Sequence, residues 1–412
     1  MSSTLAEVLP RLYALVPKGK SLGLERMEAA CARFGNPERS FSAVHVAGTN
    51  GKGTVSAFVA SIARASGKRV GLYTSPHLVR FAERIQIDGA LIDDETLARV
   101  LERVMDEAPE LTFFEVTTLA AFVAFQQAQV EIAVIEVGLG GRLDATNVIP
   151  PPRVAVITRV AFDHIEELGD SLAKIATEKA GIIKKGSTVV VGKLHPDARD
   201  VVERRVAQVG AHLVALSNPE RIPGAALAYP RFAMFGSNLA VAVTAGQELG
   251  IPPRTIADGI EAAQWPARNE LLHRNGQELT LLDCAHNPDG TVALSHVLDP
   301  STLGEIESRR DVALVFGTLK KKSWRAMLRR LEQSAAHKFF VAPPLSADKV
   351  ADPHEMAAAF GGTVAPNVAE ALSLARAKVG QSGLVVVTGS IYLVGAARAQ
   401  LLSVPSDPPV DM

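Results

Sequence analysis

From residue 42 onward the chain alternates between short runs rich in Val, Ile and Ala and longer stretches where apolar residues recur every three to four positions. SAVHVAG (42–48), KRVGLYT (68–74), EIAVIEVG (131–138), RVAVITRV (153–160) and STVVVG (187–192) predict strands buried on both faces. TVSAFVASIARASG (54–67) predicts the helix between the first two, and helical patterns also cover 93–107, 115–129, 171–181 and 196–209. Continuous β-branched strands separated by helices imply a parallel sheet covered on both sides. Ligands of such sheets sit at the carboxyl ends of the strands, and the polar residues of this chain gather there. A second alternating series follows WPARNELLHRNGQ (265–277), with strands predicted at 279–286, 311–317, 338–343 and 383–390. The stretch around Trp265 therefore reads as a boundary, with one α/β domain over 1–264, a linker over 265–272 and a second α/β domain over 273–412. The Pro-rich end, SVPSDPPVDM, reads as a frayed tail.

Bulk properties narrow the class. A chain of 412 residues exceeds one ordinary core, which fits two domains. A net charge of −1 provides no field to recruit nucleic acid or anionic membrane. Cys31 and Cys284 form neither a metal-ligand pattern nor a disulfide framework, so a reducing compartment is expected. The first residues lack a basic segment followed by an apolar run, and no apolar stretch approaches the roughly 20 residues of a membrane span. The expectation is a cytoplasmic enzyme acting on small molecules.

The stretch HVAGTNGKGTVSAF (45–58) departs from the Walker A pattern, since Val46 stands where the first glycine belongs and Gly53 follows Lys52. It still joins a strand to a helix, and its glycines let backbone N–H groups converge on phosphate oxygens. The alternative is a plain turn with a solvated lysine. Ser75, at the end of the next strand, could ligate Mg²⁺ through its hydroxyl, although Ser-Pro is also a common turn starter. Glu136 ends an apolar strand, where a carboxylate must be paired or metal-bound; Arg142 is the obvious partner for a simple ion pair. Gly138, Gly140 and Gly141 allow close approach of a ligand beside Arg142 and Asp144. Asp163 and His164 follow the fourth strand, and a lone His there is commonly structural. Lys179 lies on an apolar helix face, which favours its neutral form unless it snorkels to water. In the second half Asp283, His286 and Asn287 cluster after a strand, in dipeptides that also serve ordinary turns. Trp265 and Arg268 of WPAR offer either a hinge anchor or a cation for phosphate.

Taken in order, GTNGKGT, LYTSPH, RFAERI, IEVGLGGRLDATN, DH, EKAGIIK, WPAR, DCAHNPDG and TGS closely resemble the folylpolyglutamate synthase/dihydrofolate synthase family, ATP-dependent amide ligases related to the Mur ligases. The likeness covers most of the chain. Mur ligases usually place Thr directly after the loop Lys, so the extra Gly53 points to the folate branch. The resemblance implies an N-terminal P-loop ATPase domain with a parallel sheet and a smaller, Rossmann-like C-terminal domain, with ATP at their interface. Asn50, Gly51, Lys52, Gly53 and Thr54 would hold the phosphates, and Asn238, Arg268 and Asp283 would also touch ATP. Ser75, Glu136 and His164 match Mg²⁺ ligands, and Lys179 matches a lysine that family members carbamylate. Thr112, Phe113, Phe114 and Glu115, with Leu143, Asp144 and Ala145, align with a dihydropteroate pocket; the two Phe rings could pack on a pterin or simply belong to the helix core. Three positions depart from the pattern: Cys284 replaces Gly or Val, Asn269 replaces a hydrophobic residue before Glu270, and YPRFAMFGSN (229–238) lacks a Pro-Gly-x-His-Gln run.

The implied chemistry transfers the ATP γ-phosphate to a substrate carboxylate, after which the amine of L-glutamate displaces phosphate. Charge neutralisation by Lys52, Mg²⁺ and Arg268 suits that reaction, and His286 could orient phosphate or the incoming amine. The expected substrates are dihydropteroate or folates, L-glutamate and ATP, acted on by a monomer. Two other readings stand beside this one: a Mur-type ligase of cell-wall precursors, and a nucleotide-binding regulator without catalysis.

Overall fold

The computed structural model describes residues 3–16, 23–218, 236–272, 279–299 and 311–408. It divides into two compact units, Met1–His77 with Ala82–Gln264, and Leu78–Phe81 with Trp265–Asp411.

The first unit is built on β1 (Ser42–Ala47), β2 (Val70–Tyr73), β3 (Ile85–Ile87), β4 (Ala90–Leu91), β5 (Ile132–Glu136), β6 (Val154–Ile157), β7 (Thr188–Val191) and β8 (His212–Val214). They form one sheet in the order β4-β3-β2-β5-β1-β6-β7-β8. The run from β2 to β8 is parallel, and only β3 and β4 pair antiparallel at one edge. Its helices are α1 (Leu5–Tyr13), α2 (Glu25–Arg33), α3 (Lys52–Ala65), α4 (Asp94–Glu107), α5 (Phe113–Gln127), α6 (Ile165–Leu168), α7 (Leu172–Ala180), α8 (Pro196–Val209), α9 (Ser237–Glu248) and α10 (Pro253–Glu261). Val44, Val46, Val134, Ile135, Val156 and Ile157 of the central strands are fully buried, as strands covered on both faces require. Helix α5 is apolar nearly all round and buries Phe113, Leu119, Phe122 and Phe125.

The second unit carries β9 (Glu270–Leu272), β10 (Leu279–Leu282), β11 (Val312–Phe316), β12 (His337–Phe340), β13 (Thr363–Val364) and β14 (Leu384–Thr388), in the order β13-β12-β11-β14-β10-β9. All pairs are parallel except β9 with β10. Helices α11 (Pro288–Val297), α12 (Trp324–Leu331), α13 (Pro353–Phe360), α14 (Val368–Val379) and α15 (Ile391–Leu402) complete it. Its core includes Ala313, Val315, Val385, Val387, Leu393 and Ala397. Leu78 packs on that core, and the N–H of Phe81 donates to Asp407 at 2.7 Å, so this short excursion of chain belongs here.

Every strand predicted from the apolar runs exists. Several are shorter, because residues such as Gly48 and Asp283 already belong to turns rather than ladders. The β3–β4 hairpin and the edge strands β8, β9 and β13, each two or three residues long, show no periodicity to read in sequence. Residues 229–235 of the segment before Asn238 and 273–277 after the WPAR stretch lie outside the described residues.

Candidate active site

The site in the first unit is laid out by strand order. β2, β5, β1 and β6 are neighbours, so Ser75, Glu136, the loop at 48–51 and Thr158 leave the same end of the sheet. The β1–α3 loop is tied down on one side by β6. Thr49 N donates to Arg159 O at 2.6 Å, Thr49 Oγ1 to Ala161 O at 3.0 Å, and Thr158 Oγ1 to Asn50 O at 2.7 Å. Gly51 caps α3 with φ 86°, and a Cβ there would lie 2.5 Å from Asn238 Oδ1. Asn238, at the start of α9, therefore lies against the loop. No side chain caps α3, so the amides of its first turn, at Lys52, Gly53 and Thr54, face outward at the positive end of the helix dipole. Backbone donors, helix dipole and a lysine are the groups that helix N-termini use to bind anions. Lys52 Nζ donates to Thr49 O at 3.3 Å.

Lys179, on α7, is 3% exposed and donates to Gly48 O at 3.0 Å. Burial first, and the nearby Lys52 second, lower its pKa to about 7, against the pull of Asp163, Asp144 and Glu178. The side chain does not snorkel. It is a half-neutral amine near pH 7, pressed against the phosphate-type loop.

Glu136 is 5% exposed, and its Oε2 accepts the Ser75 N–H at 3.1 Å. The ion pair to Arg142 considered from sequence does not form; Arg142 instead clasps Glu178 through Nε and Nη2 at 3.0 and 2.9 Å. The Ser75 N–H and the Glu136 carboxylate thus meet at the mouth of the sheet, and a serine hydroxyl with a carboxylate is the kind of hard-oxygen donor set Mg²⁺ takes. His164 stands on the β6–α6 connection with φ 50° and turns its ring toward Asp163 (4.0 Å) and Glu167 (3.8 Å). No cluster of three His, Cys, Asp or Glu suited to a metal occurs among the described residues.

The candidate pterin segment divides. Thr112 and Glu115 form a capping box at the start of α5, and Glu115 also pairs with Arg26 at 2.9 Å. Phe113 is 4% exposed, 6.2 Å from the Tyr13 ring and 5.4 Å below the Arg84 guanidinium, so it belongs to the core and does not present a face to a ligand. Phe114 is half-buried beside Tyr73 and Gly138. Asp144 Oδ2 accepts from Leu139 N at 2.9 Å and Oδ1 from Thr146 N and Oγ1 at 3.0 and 2.5 Å, so its carboxyl folds the Gly138–Thr146 loop around itself. Burial pushes its pKa up and these donors pull it back. Leu143 and Ala145 flank it in that loop.

Residues not singled out from sequence complete the network. His45, inside β1, is fully buried, and burial with the nearby Lys184 lowers its pKa to about 3, so the ring is neutral. Its Nε2 lies 2.8 Å from the Thr146 hydroxyl, which itself donates to Asp144. A polar His amid Val and Ala of a strand was the available signal; its partner 101 positions away was not.

In the second unit the turn around Arg268 carries two non-glycine residues in the left-handed region, Ala267 (φ 55°) and Asn269 (φ 51°). Such conformations cost on the order of 1 kcal/mol or more for alanine, less for asparagine. The departure from a hydrophobic residue at 269 thus has a local reason, since Asn tolerates this φ. Asp283 accepts from Asn269 N at 3.1 Å and Ala285 N at 2.9 Å; burial raises its pKa and Arg268 lowers it. His286 Nδ1 lies 2.9 Å from Cys284 O, and Asn287 caps α11 through Gly290 N. Among the described residues no helix is long and apolar enough to cross a membrane.

Residues 46–210 match the Mur ligase middle domain and 267–391 the Mur ligase glutamate ligase domain. The chain is 35% identical over 404 residues to the folylpolyglutamate synthase of Lacticaseibacillus casei, covering 90% of this chain and 92% of that one. It is 31% identical to the dihydrofolate synthase/folylpolyglutamate synthase of Bacillus subtilis, covering 93% and 96%. It also resembles the crystal structure of a bifunctional folylpolyglutamate synthase/dihydrofolate synthase from Yersinia pestis complexed with AMPPNP and Mn, with TM-score 0.82, 30% identity, and 97% and 98% of the two chains covered.

Proposed function

This chain belongs to the folylpolyglutamate synthase/dihydrofolate synthase family and is an ATP-dependent ligase, and from that premise we propose that it joins L-glutamate to dihydropteroate and to reduced folates. The observation that carries this reading is the loop at the end of β1, where Lys52 opens α3 without a side-chain cap and buried Lys179 donates to Gly48 O. ATP is proposed to place its phosphates there, on Asn50 to Thr54 with Asn238 beside them; Arg268 and Asp283 of the second unit are proposed as ATP contacts in their own right. Ser75, Glu136 and His164 would hold a Mg²⁺ ion, which supplies charge neutralisation to the phosphates.

The substrate carboxylate oxygen attacks the γ-phosphorus, the bond to ADP breaks, and an acyl phosphate forms. The glutamate amine then attacks the acyl carbon; the C–N bond forms, phosphate leaves, and the amine proton passes to solvent or base. This chain's residues position the reactants and neutralise phosphate charge rather than form covalent intermediates. Lys52 takes the developing phosphate charge. Lys179, with its lowered pKa, is the amine proposed to react with CO₂: its nitrogen bonds to carbon, a proton leaves, and a carbamate anion results. Phe114, with the loop shaped by Asp144 and carrying Arg142, Leu143 and Ala145, receives the pterin; His286 orients phosphate or the incoming amine. The protein is proposed to work as a cytoplasmic monomer, which light scattering on the purified chain tests.

The deciding assay is ADP release with dihydropteroate or tetrahydrofolate, each with and without L-glutamate. Glutamate-dependent release with both is expected. Release with only one restricts the activity to that reaction, and release only with a UDP-linked peptide acceptor overturns the folate reading.

A further inference from the structure

The turn that presents Arg268 is held from a place remote in sequence. Ala267 N donates to Glu270 Oε2 at 2.8 Å, and Cys284 N donates to Ala267 O at 3.1 Å. Glu270 is in turn gripped by Arg398 on α15, with Nε to Oε2 at 2.9 Å, Nε to Oε1 at 3.2 Å and Nη2 to Oε1 at 3.0 Å. Both side chains are only 18% exposed, so solvent screens the pair weakly. Asn269 N on the other side goes to Asp283. Arg268 thus sits between two left-handed residues whose N–H groups each end on a carboxylate, while its own guanidinium makes no hydrogen bond among the described residues.

We propose that Arg398 and Glu270 are positioning residues for Arg268: the fork-to-fork ion pair fixes the Glu270 carboxylate, the carboxylate fixes the left-handed Ala267, and the turn then aims the cation at phosphate. A strained alanine persists only where its surroundings over-determine it, and here two carboxylates and one carbonyl contact do so. Planar, two-point Arg–carboxylate pairing holds orientation as a single-point lysine contact does not. A guanidinium without a hydrogen-bond partner among the described residues, carried between two fixed anchors, is what a pre-aimed phosphate contact needs, because binding then costs little ordering.

The proposal rests on Arg268 contacting ATP, and a double-mutant cycle separates the two claims. Glutamate-dependent ADP release is measured for Arg268→Ala, Arg398→Met, Arg398→Lys and each double variant, with thermal melts alongside. Arg398→Met is expected to lower kcat about tenfold with a smaller change in KM for dihydropteroate, and Arg398→Lys to recover only part of it. In the Arg268→Ala background both Arg398 changes should have almost no further effect on kcat, while their effect on melting temperature persists. An equal fold-loss in kcat with and without Arg268 overturns the positioning role. Should Arg398→Met fail to fold, the Arg398→Lys arm decides in the same way. An unaffected Arg268→Ala enzyme instead overturns the parent reading of Arg268.

Discussion

The phosphate-type loop at 48–54 and the linker turn at 267–270 both need left-handed backbone next to a cation, and they obtain it by opposite means. In the loop, glycine supplies it: Gly51 has φ 86°, at a point where a Cβ would strike Asn238. In the turn, Ala267 and Asn269 adopt φ near 55° and 51° and are restrained by Glu270 and Asp283. The first solution is local and carries no conformational strain, since glycine visits this region freely. The second is imposed by tertiary contacts and stores strain, which makes the aim of Arg268 sensitive to residues far along the chain. A loop that must let backbone amides approach phosphate has no room for the second device. A turn that must aim one side chain gains rigidity from it.

That contrast can be broken at several points. Lys52→Ala should cost the most, a loss of about 10³-fold or more in kcat with the melting temperature nearly unchanged, because charge at the transferring phosphate is lost and no core contact is; steady-state ADP release with a parallel melt checks it. Lys179→Ala should follow, about 10²-fold or more down in kcat, with partial recovery by small carboxylates that replace a carbamate; activity without recovery, and no CO₂ adduct in native mass spectra, would remove the carbamate.

The same lysine makes a pH prediction. Its folded pKa of about 7 lies below the ordinary value near 10.5, so between those pH values the unfolded chain holds a proton that the folded one lacks. Stability should therefore rise with pH across that window by up to about 1.4 kcal/mol per unit, with no slope below pH 7, where both states are protonated and the cost of the buried charge is fully present. Denaturant titrations in CO₂-free buffer should show this slope in the native protein and its absence in Lys179→Met.

Gly51→Ala should lose on the order of 1–2 kcal/mol of stability together with most activity, since φ and the Asn238 contact both oppose a methyl. The reverse exchange in the turn, Ala267→Gly, should change stability least, within about 1 kcal/mol: relief of the left-handed strain offsets the methyl lost from a fully buried position. If the two exchanges cost the same in urea unfolding, the distinction between glycine-made and contact-made turns fails.

Much of the candidate site's layout at the strand ends was legible because its signals are local. Strand, glycine turn, Lys and helix are consecutive residues, and Ser75, Glu136 and Lys179 each stand out as polar groups ending or interrupting apolar runs. Legibility failed where one residue's role depends on a partner distant in sequence. Phe113 and Phe114 look alike in the chain, yet the helix start sends one under Arg84 and leaves the other beside Gly138. Arg142 pairs with Glu178, not Glu136, because α7 lies alongside its loop.

The chain by itself determined its α/β alternation, the carboxyl-edge placement of its polar residues and the phosphate-type loop, since hydrophobic period and glycine content act over a few residues. Only the tertiary structure decided that Lys179 is buried against Gly48, that His45 meets Thr146, and that Arg398 reaches Glu270. Desolvation and hydrogen-bond geometry depend on which elements pack together, and that information resides in no single segment.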